Sequence, residues 1–217
     1  MTLRYRTIAA PSEGLFRDRG SKFLAFAFPV PEESACKEHL LALKKAHPKA
    51  RHHCYAYRLG FDGALFRAND DGEPSGTAGR PILGQIDHFE LTNVLVVVVR
   101  YFGGTLLGTS GLIRAYREST RQALEKAAIE EREVLECFRL QFEYEKMSPV
   151  MEGLKKAGAE ILSTDYGLEA ALEFAVPRAR APETLTLLKA AVAGVSREEA
   201  ETLERVPGLV WEALGAR

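Results

Sequence analysis

The sequence predicts an α+β protein with two domains, residues 1–133 and 134–217. The chain has 217 residues, which is long for one domain and sufficient for two with a buried core in each. A charged stretch at 125–134 separates two patterns: long helical periods and a continuous aliphatic run before it, and shorter alternating segments after it. Basic residues outnumber acidic ones only in the first region, so an anionic partner is expected there.

In the first region, strands and helices are predicted in alternation. The strands are at 22–28, 52–59 and 91–100, the helices at 32–46, about 81–88 and 110–131, and a turn-rich loop occupies 69–80. The run VLVVVV at 94–99 indicates a strand covered on both faces. An apolar stripe that includes Ile113, Tyr116 and Leu124 supports the last helix.

The second region predicts the order β-α-β-β-α-β. The elements are a strand at 134–145, a helix from Ser148 and Pro149 to Gly158, strands at 159–166 and 168–176 around Gly167, a helix from Pro182 to Gly194 and a short strand at 201–206. This order is that of a ferredoxin-like domain. Because that fold hosts many functions, it does not indicate a role by itself.

Composition excludes several classes of protein. The formal net charge is −1, so overall charge does not indicate a nucleic-acid binder. The three cysteines, at 36, 54 and 137, are too few and too far apart for a disulfide framework or a four-cysteine zinc site. The N-terminal stretch has no long apolar core, and VLVVVV is too short to span a bilayer. A cytoplasmic location without membrane association is therefore expected.

The main candidate site is the glycine-rich stretch GGTLLGTS at 103–110. Its glycine spacing matches a nucleotide-binding P-loop, but Thr109 stands where that motif needs lysine, so a nucleoside triphosphate site is not expected. The glycines could serve tight packing alone, or the amides of the following helix could bind a phosphate.

Basic and aromatic neighbours favour the second interpretation, with a nucleic-acid backbone as the anion. On the following helix, Arg114, Arg117 and Arg121 are three and four residues apart and share a face; a solvated face with Glu118 pairing Arg114 or Arg121 is the alternative. The candidate anion-binding residues are Arg100, Tyr101, Gly103, Gly104, Gly108, Ser110, Arg114 and Arg117.

His52 and His53 are a second candidate group. As neighbours in a strand they point to opposite faces, so they cannot bind one metal together, and His52 with Cys54 lacks further ligands at a recognisable spacing. No metal and no cofactor are therefore predicted. The histidines are either buried or hydrogen-bonded, or they are exposed and able to stack on bases.

Asp70, Asp71 and Glu73 form a candidate acidic site in the loop 69–80. An EF-hand is excluded, because counting from Gly72 puts Arg67 and Ala78 at positions that need oxygen ligands. The acids could act in acid–base chemistry, or the Asp-Gly and Glu-Pro pairs could simply form turns. No common hydrolase motif is present in the sequence.

Four motifs together resemble the IMPACT family, in its bacterial YigZ-type branch. They are SKF at 21–23, RHHCYAY at 51–57, DDGEPSGTAGRPIL at 70–83 and VVVVRYFGGTLLGTSGLIRAY at 96–116. The resemblance implies a first domain like one in a small-subunit ribosomal protein and domain IV of elongation factor G, and a second like the last domain of that factor. It also implies a link to translational control, in which eukaryotic relatives act, and it supplies no catalytic residues.

These observations favour an RNA- or ribosome-associated binding protein that regulates translation. The candidate loop and helix residues contact phosphate in this hypothesis, helped by His52 and His53. Two alternatives stay open. One is a hydrolase or transferase for a phosphate-bearing small molecule, using Asp70, Asp71 and Glu73. The other is a protein-interaction module that uses the same loop; a large apolar patch near Phe102 and Leu106 would favour it.

Overall fold

The computed structural model describes residues 2–217, which form two compact units, Thr2–Arg132 and Glu133–Arg217. Both units mix helices and strands. No helix among residues 2–217 is both long and apolar enough to cross a membrane.

The first unit is built on one antiparallel sheet. Its elements are β1 (Arg4–Ile8), β2 (Ser12–Asp18), β3 (Ser21–Pro29), α1 (Glu33–Ala46), β4 (His52–Leu59), β5 (Leu65–Asn69), α2 (Gly79–His88), β6 (Val94–Tyr101), α3 (Gly108–Glu125) and β7 (Ile129–Glu133). The main sheet has the order β2-β3-β6-β4-β5, and β1 pairs with β7. Arg19 and Gly20, both with positive φ, form the two-residue turn between β2 and β3, as a tight hairpin requires.

β6 lies at the centre of this sheet and is covered on both faces. Val94, Val96 and Val98 pack in the core that includes side chains of α2 and α3, while Leu95, Val97 and Val99 pack in the core that includes those of α1. A strand with helices on both sides buries every side chain along it, which explains why its sequence is continuously aliphatic rather than alternating.

Several predicted boundaries in the first unit are wrong. The predicted helix 110–131 ends at Glu125, because residues 129–133 pair with β1 instead. The strand predicted from 91 begins at Val94. Strands β1, β2 and β5 were not predicted; β5 has the sequence LFRAN and is almost wholly exposed, so it carries no alternating pattern.

The second unit is a sheet with helices on one face. Its elements are β8 (Leu135–Phe142), α4 (Met147–Ala157), β9 (Glu160–Tyr166), β10 (Ala170–Pro177), α5 (Ala181–Ala193), α6 (Arg197–Thr202) and β11 (Leu209–Ala216). The antiparallel sheet has the order β11-β8-β10-β9. Its core joins aromatic residues of β8 and β10, such as Phe138 and Phe174, to Leu154 of α4 and Leu188 of α5.

The last strand of the second unit lies further along the chain than its sequence predicts. The segment 201–206 was predicted as a strand, but its start belongs to α6, and the strand is β11 at Leu209–Ala216. Ser196 and Glu199 form a reciprocal capping box, in which each side chain accepts a bond from the other residue's backbone N–H. This cap stabilises a helix start just before the expected strand.

Candidate functional site

The glycine loop connects the end of β6 to the start of α3. Gly104 and Gly108 have φ values of 87° and 71°, a region that favours glycine. Gly103 is needed for another reason: a Cβ there would lie 2.0 Å from the carbonyl carbon of Gly20. Its N–H donates to Ser21 Oγ over 3.1 Å, so the loop is fixed against the β2–β3 turn. The glycines therefore serve packing as well as the turn.

The loop is exposed to solvent. Residues 102–106 and 108–110 are exposed. Leu107, between them, is buried and anchors the loop. Leu107 precedes α3 and makes no side-chain cap hydrogen bond, so the amides of the first turn of an 18-residue helix face an open surface. Uncapped helix amides carry partial positive charge and suit an anion.

Arg100 is not at the surface, contrary to its expected role as a phosphate contact. Its side chain is 6% exposed, and Nη1 lies 2.5 Å from Oε1 of Glu73. The guanidinium lies over the rings of Phe23 and Phe102, with its carbon 5.3 and 5.6 Å from their centroids. The Glu73 carboxylate compensates the charge of the buried Arg100. The sequence pattern did not indicate that these two residues form a pair.

Glu73 is the centre of a buried polar cluster. The hydroxyl of Tyr116 donates to Glu73 Oε1 over 2.8 Å, and His52 Nε2 lies 3.9 Å from the same oxygen. Cys54 Sγ lies 3.2 Å from the Tyr116 hydroxyl oxygen and 3.0 Å from the carbonyl oxygen of Asp70. Burial raises the pKa of both Cys54 and Tyr116, so both stay protonated at neutral pH. Tyr116, predicted from the sequence as a core residue, therefore also contacts the loop 69–80, which is called the acidic loop below.

Asp70 and Asp71 shape the chain around this cluster. Asp70 accepts hydrogen bonds from the backbone N–H groups of Gly76, Ala78 and Gly79 over 2.8, 3.0 and 2.8 Å. Burial alone would raise the pKa of Asp70, but these three bonds outweigh it, and the pKa is lowered. Asp71 Oδ2 accepts from the N–H of His53 over 2.7 Å. The three candidate acids are thus engaged with the fold, which favours the turn interpretation.

The two histidines are held inside the unit. His52 Nδ1 donates to the carbonyl oxygen of Asp71 over 2.8 Å, and its side chain is 13% exposed. His53 is buried on the other face of the sheet, where burial lowers the pKa of its imidazole. On the same face, the Tyr101 hydroxyl lies 2.9 Å from His47 Nδ1. Neither imidazole is positioned to stack on a base. His52 is hydrogen-bonded through its ring, whereas His53 is buried and, within residues 2–217, its Nε2 has no hydrogen-bond partner.

The acidic loop and the glycine loop lie at the same end of the sheet. In the pairing of β4 with β6, His52 is opposite Arg100, and His52 contacts Asp71 while Arg100 leads into the glycine loop. The two loops are therefore not on opposite sides of the first unit, an arrangement that would have excluded an active site shared between them. Of the three acids, Glu73 connects to this end of β6, through the buried Arg100.

The arginines of α3 separate into different environments. Arg114 is 67% exposed, and its Nη2 lies 2.6 Å from Asp18 Oδ2 at the end of β2. Arg121 is paired with Glu118 and Glu125 of its own helix, as the solvated-face alternative expected. Arg117 is exposed and, within residues 2–217, makes no hydrogen bond or ion pair. Arg117 also lies near Arg80 of α2, which the sequence analysis did not single out.

The fold and this geometry define a two-unit α+β protein whose first unit presents an exposed glycine loop at a helix start. Residues 19–124 match the Impact N-terminal domain. The chain is 34% identical over 177 residues to the Escherichia coli IMPACT family member YigZ, covering 81% of this chain and 87% of that protein. It is 35% identical over 153 residues to the Bacillus subtilis IMPACT family member YvyE, covering 70% of each.

A solved structure is similar over nearly the whole chain. This crystal structure of a hypothetical protein has a TM-score of 0.77 and 31% identity, covering 99% of this chain and 98% of the other. The chain therefore belongs to the IMPACT family, in its bacterial YigZ-type branch.

Proposed function

We propose that the protein binds RNA, free or within the ribosome, and thereby regulates translation in the cytoplasm. The observation that carries the proposal is the exposed glycine loop at the uncapped start of α3, followed on the same helix by the exposed Arg114 and Arg117. Backbone amides and guanidinium groups are the donors that proteins use for phosphate oxygens.

The remaining candidate residues act in this proposal by holding the loop. Arg100 lies under Phe102, and Gly103 packs on the β2–β3 turn. The Tyr101 hydroxyl is hydrogen-bonded to His47, the residue that follows α1. His52 and His53 fix the acidic loop beside them. Direct phosphate contact is left to the amides of residues 104–110, with Gly108 and Ser110 in the helix start, and to the two arginines.

Two family likenesses support the same proposal. The motif resemblance implies a first domain similar to a ribosomal small-subunit protein and to domain IV of elongation factor G. The β-α-β-β-α-β order of residues 135–216 supports a ferredoxin-like second domain similar to the last domain of that factor. We infer that the two compact units are these two domains, and that both act on the translation machinery.

Co-sedimentation with ribosomes across a salt series tests the proposal. The wild type should bind at low salt and lose affinity steeply as salt rises, because released counterions drive phosphate binding. Arg114→Ala/Arg117→Ala should weaken binding and flatten its salt dependence. Absence of binding at low salt, or binding that does not respond to salt, would overturn the proposal.

A protein partner is the second candidate, because two apolar side chains of the loop are exposed. Phe102 is 43% and Leu106 is 82% exposed. Leu106→Ser separates the two functions: it should leave salt-dependent RNA binding largely intact, whereas a protein contact through the loop would be weakened.

A further inference from the structure

A groove of about 550 Å³ runs between α2 and α3 in the first unit, away from the glycine loop. Four of its lining residues are basic or can become so: Arg80 and His88 from α2, and Arg117 and Arg121 from α3. No acidic side chain is among the lining residues. Cationic side chains from two helices therefore face one opening.

Two of these charges have no direct contact with a carboxylate, although Arg80 lies near enough to Asp70 to help lower the pKa of that carboxyl group. Arg80 and Arg117 are exposed, and within the described part of the chain neither makes a hydrogen bond or an ion pair with a carboxylate. Arg121, by contrast, is neutralised by Glu118 and Glu125. Charged side chains on a solvated helix commonly find partners three or four residues away, as Arg121 does, and these two do not. The groove keeps two guanidinium groups available for an external anion.

Between the arginines the groove is lined by uncharged groups, of which Pro81, Gly84 and Ile113 are apolar and Gln85 is polar. Pro81 is buried, Ile113 is half-buried, and Gly84 leaves open space, since a Cβ there would meet no atom within 4 Å. A planar base or a ribose can lie on such a surface while its phosphates reach the guanidinium groups at either side. A compact multivalent anion would not need this apolar floor.

The groove and the glycine loop share one helix, α3, which begins at the loop and lines the groove further along. Gly108 and Arg117 are nine residues apart on α3, which at the helical rise is about 14 Å. A single strand of a few nucleotides is long enough to span that distance. One bound strand can therefore contact the loop amides and the groove together.

We propose that the α2–α3 groove is a binding track for single-stranded RNA, with Arg80 and Arg117 as its phosphate contacts. This inference rests on the proposed RNA-binding function and assigns the strand a place on the protein and a contact residue, Arg80, on a second helix.

Fluorescence anisotropy with a labelled oligouridine of about 12 nucleotides tests the track, titrated between about 50 and 200 mM salt. Arg80→Ala/Arg117→Ala should weaken binding and reduce the salt slope by about 1.4, from about 0.7 for each lost contact to a single strand. The matched control is Lys37→Ala/Lys45→Ala, which removes two exposed cations from α1 on the opposite face of the sheet. The control should keep both the affinity and the slope.

The outcomes separate this inference from the proposed function. If Arg80→Ala/Arg117→Ala binds RNA with the same affinity and the same salt dependence as the wild type, the track is overturned. RNA binding by the glycine loop would then remain in place. Equal losses in both double variants would also overturn it, because a general charge effect would then suffice. No wild-type binding at low salt would overturn the proposed function and the track together. Competition by polyglutamate as effective as by unlabelled RNA would overturn the assignment of RNA as the ligand.

Discussion

Glu73 and Arg100 form an ion pair inside the first unit, with their side chains 4% and 6% exposed. The pair joins the acidic loop to Arg100, the last residue but one of β6, just before the loop that carries the exposed glycines. Because Glu73 also accepts from Tyr116 of α3, one carboxylate ties together a loop, a central strand and a helix.

Breaking this pair from one side should destabilise the first unit strongly. Glu73→Leu or Arg100→Met alone should cost about 3–5 kcal/mol, since each leaves an uncompensated buried charge. The double variant should cost much less than the sum. Urea unfolding followed by circular dichroism, analysed as a double-mutant cycle, measures this; costs that simply add would contradict a direct pair. Trp211, the single tryptophan, lies in the second unit, so its fluorescence reports there.

Gly103 and Gly84 should respond oppositely to alanine. At Gly103 the added Cβ would meet backbone atoms of Gly20 and Ser21 at 2.0 and 2.2 Å, so Gly103→Ala should destabilise by about 1–3 kcal/mol or more. At Gly84, inside α2, there is space, and Gly84→Ala should stabilise by roughly 0.5–1 kcal/mol through helix propensity. Thermal unfolding of the two variants checks both signs; a neutral Gly103→Ala would mean that the loop is not fixed to the turn.

Stability should fall below neutral pH because of His53. Burial lowers the pKa of His53 from 6.5, despite Asp71 nearby, which acts in the opposite direction. As pH drops below about 6.5, unfolded chains bind a proton at this residue that folded chains do not, so the free energy of unfolding decreases until the folded pKa is reached. Urea unfolding at a series of pH values below about 6.5 should show the free energy of unfolding decreasing with pH in the wild type, and decreasing less steeply in His53→Gln. An unchanged slope would assign the effect to another group.

Asp70 should be needed for the start of α2. Asp70→Ala leaves the N–H groups of Gly76, Ala78 and Gly79 without their acceptor, and we expect a loss of roughly 3 kcal/mol, since bonds to a charged acceptor exceed neutral ones. Asp70→Asn keeps one acceptor oxygen and should recover part of the loss. Hydrogen exchange at residues 76–79 measures the effect locally, and protection that survives in Asp70→Ala would contradict this role.

The sequence predicted the elements whose patterns are local. The aliphatic run of β6 and the apolar stripe of α3 depend only on neighbouring residues, and both elements are present with shifted ends. Arg100 was misjudged for a different reason: an arginine is normally exposed, and its partner Glu73 is 27 residues away in the chain. Arg80 was missed because its neighbour Arg117 belongs to another helix, and only the packing of α2 on α3 brings them to one groove.

The central position of β6 has a consequence for how the chain folds during synthesis. β6 is the last of the strands β2 to β6 to be made, yet it lies between β3 and β4. The hairpins β2–β3 and β4–β5 can form earlier from local contacts, but until β6 is made the inner edges, β3 and β4, stay unpaired as well as the outer ones. The sheet closes only when Val94–Tyr101 inserts between them, so nascent chains that end before Val94 should be the ones that aggregate or engage chaperones.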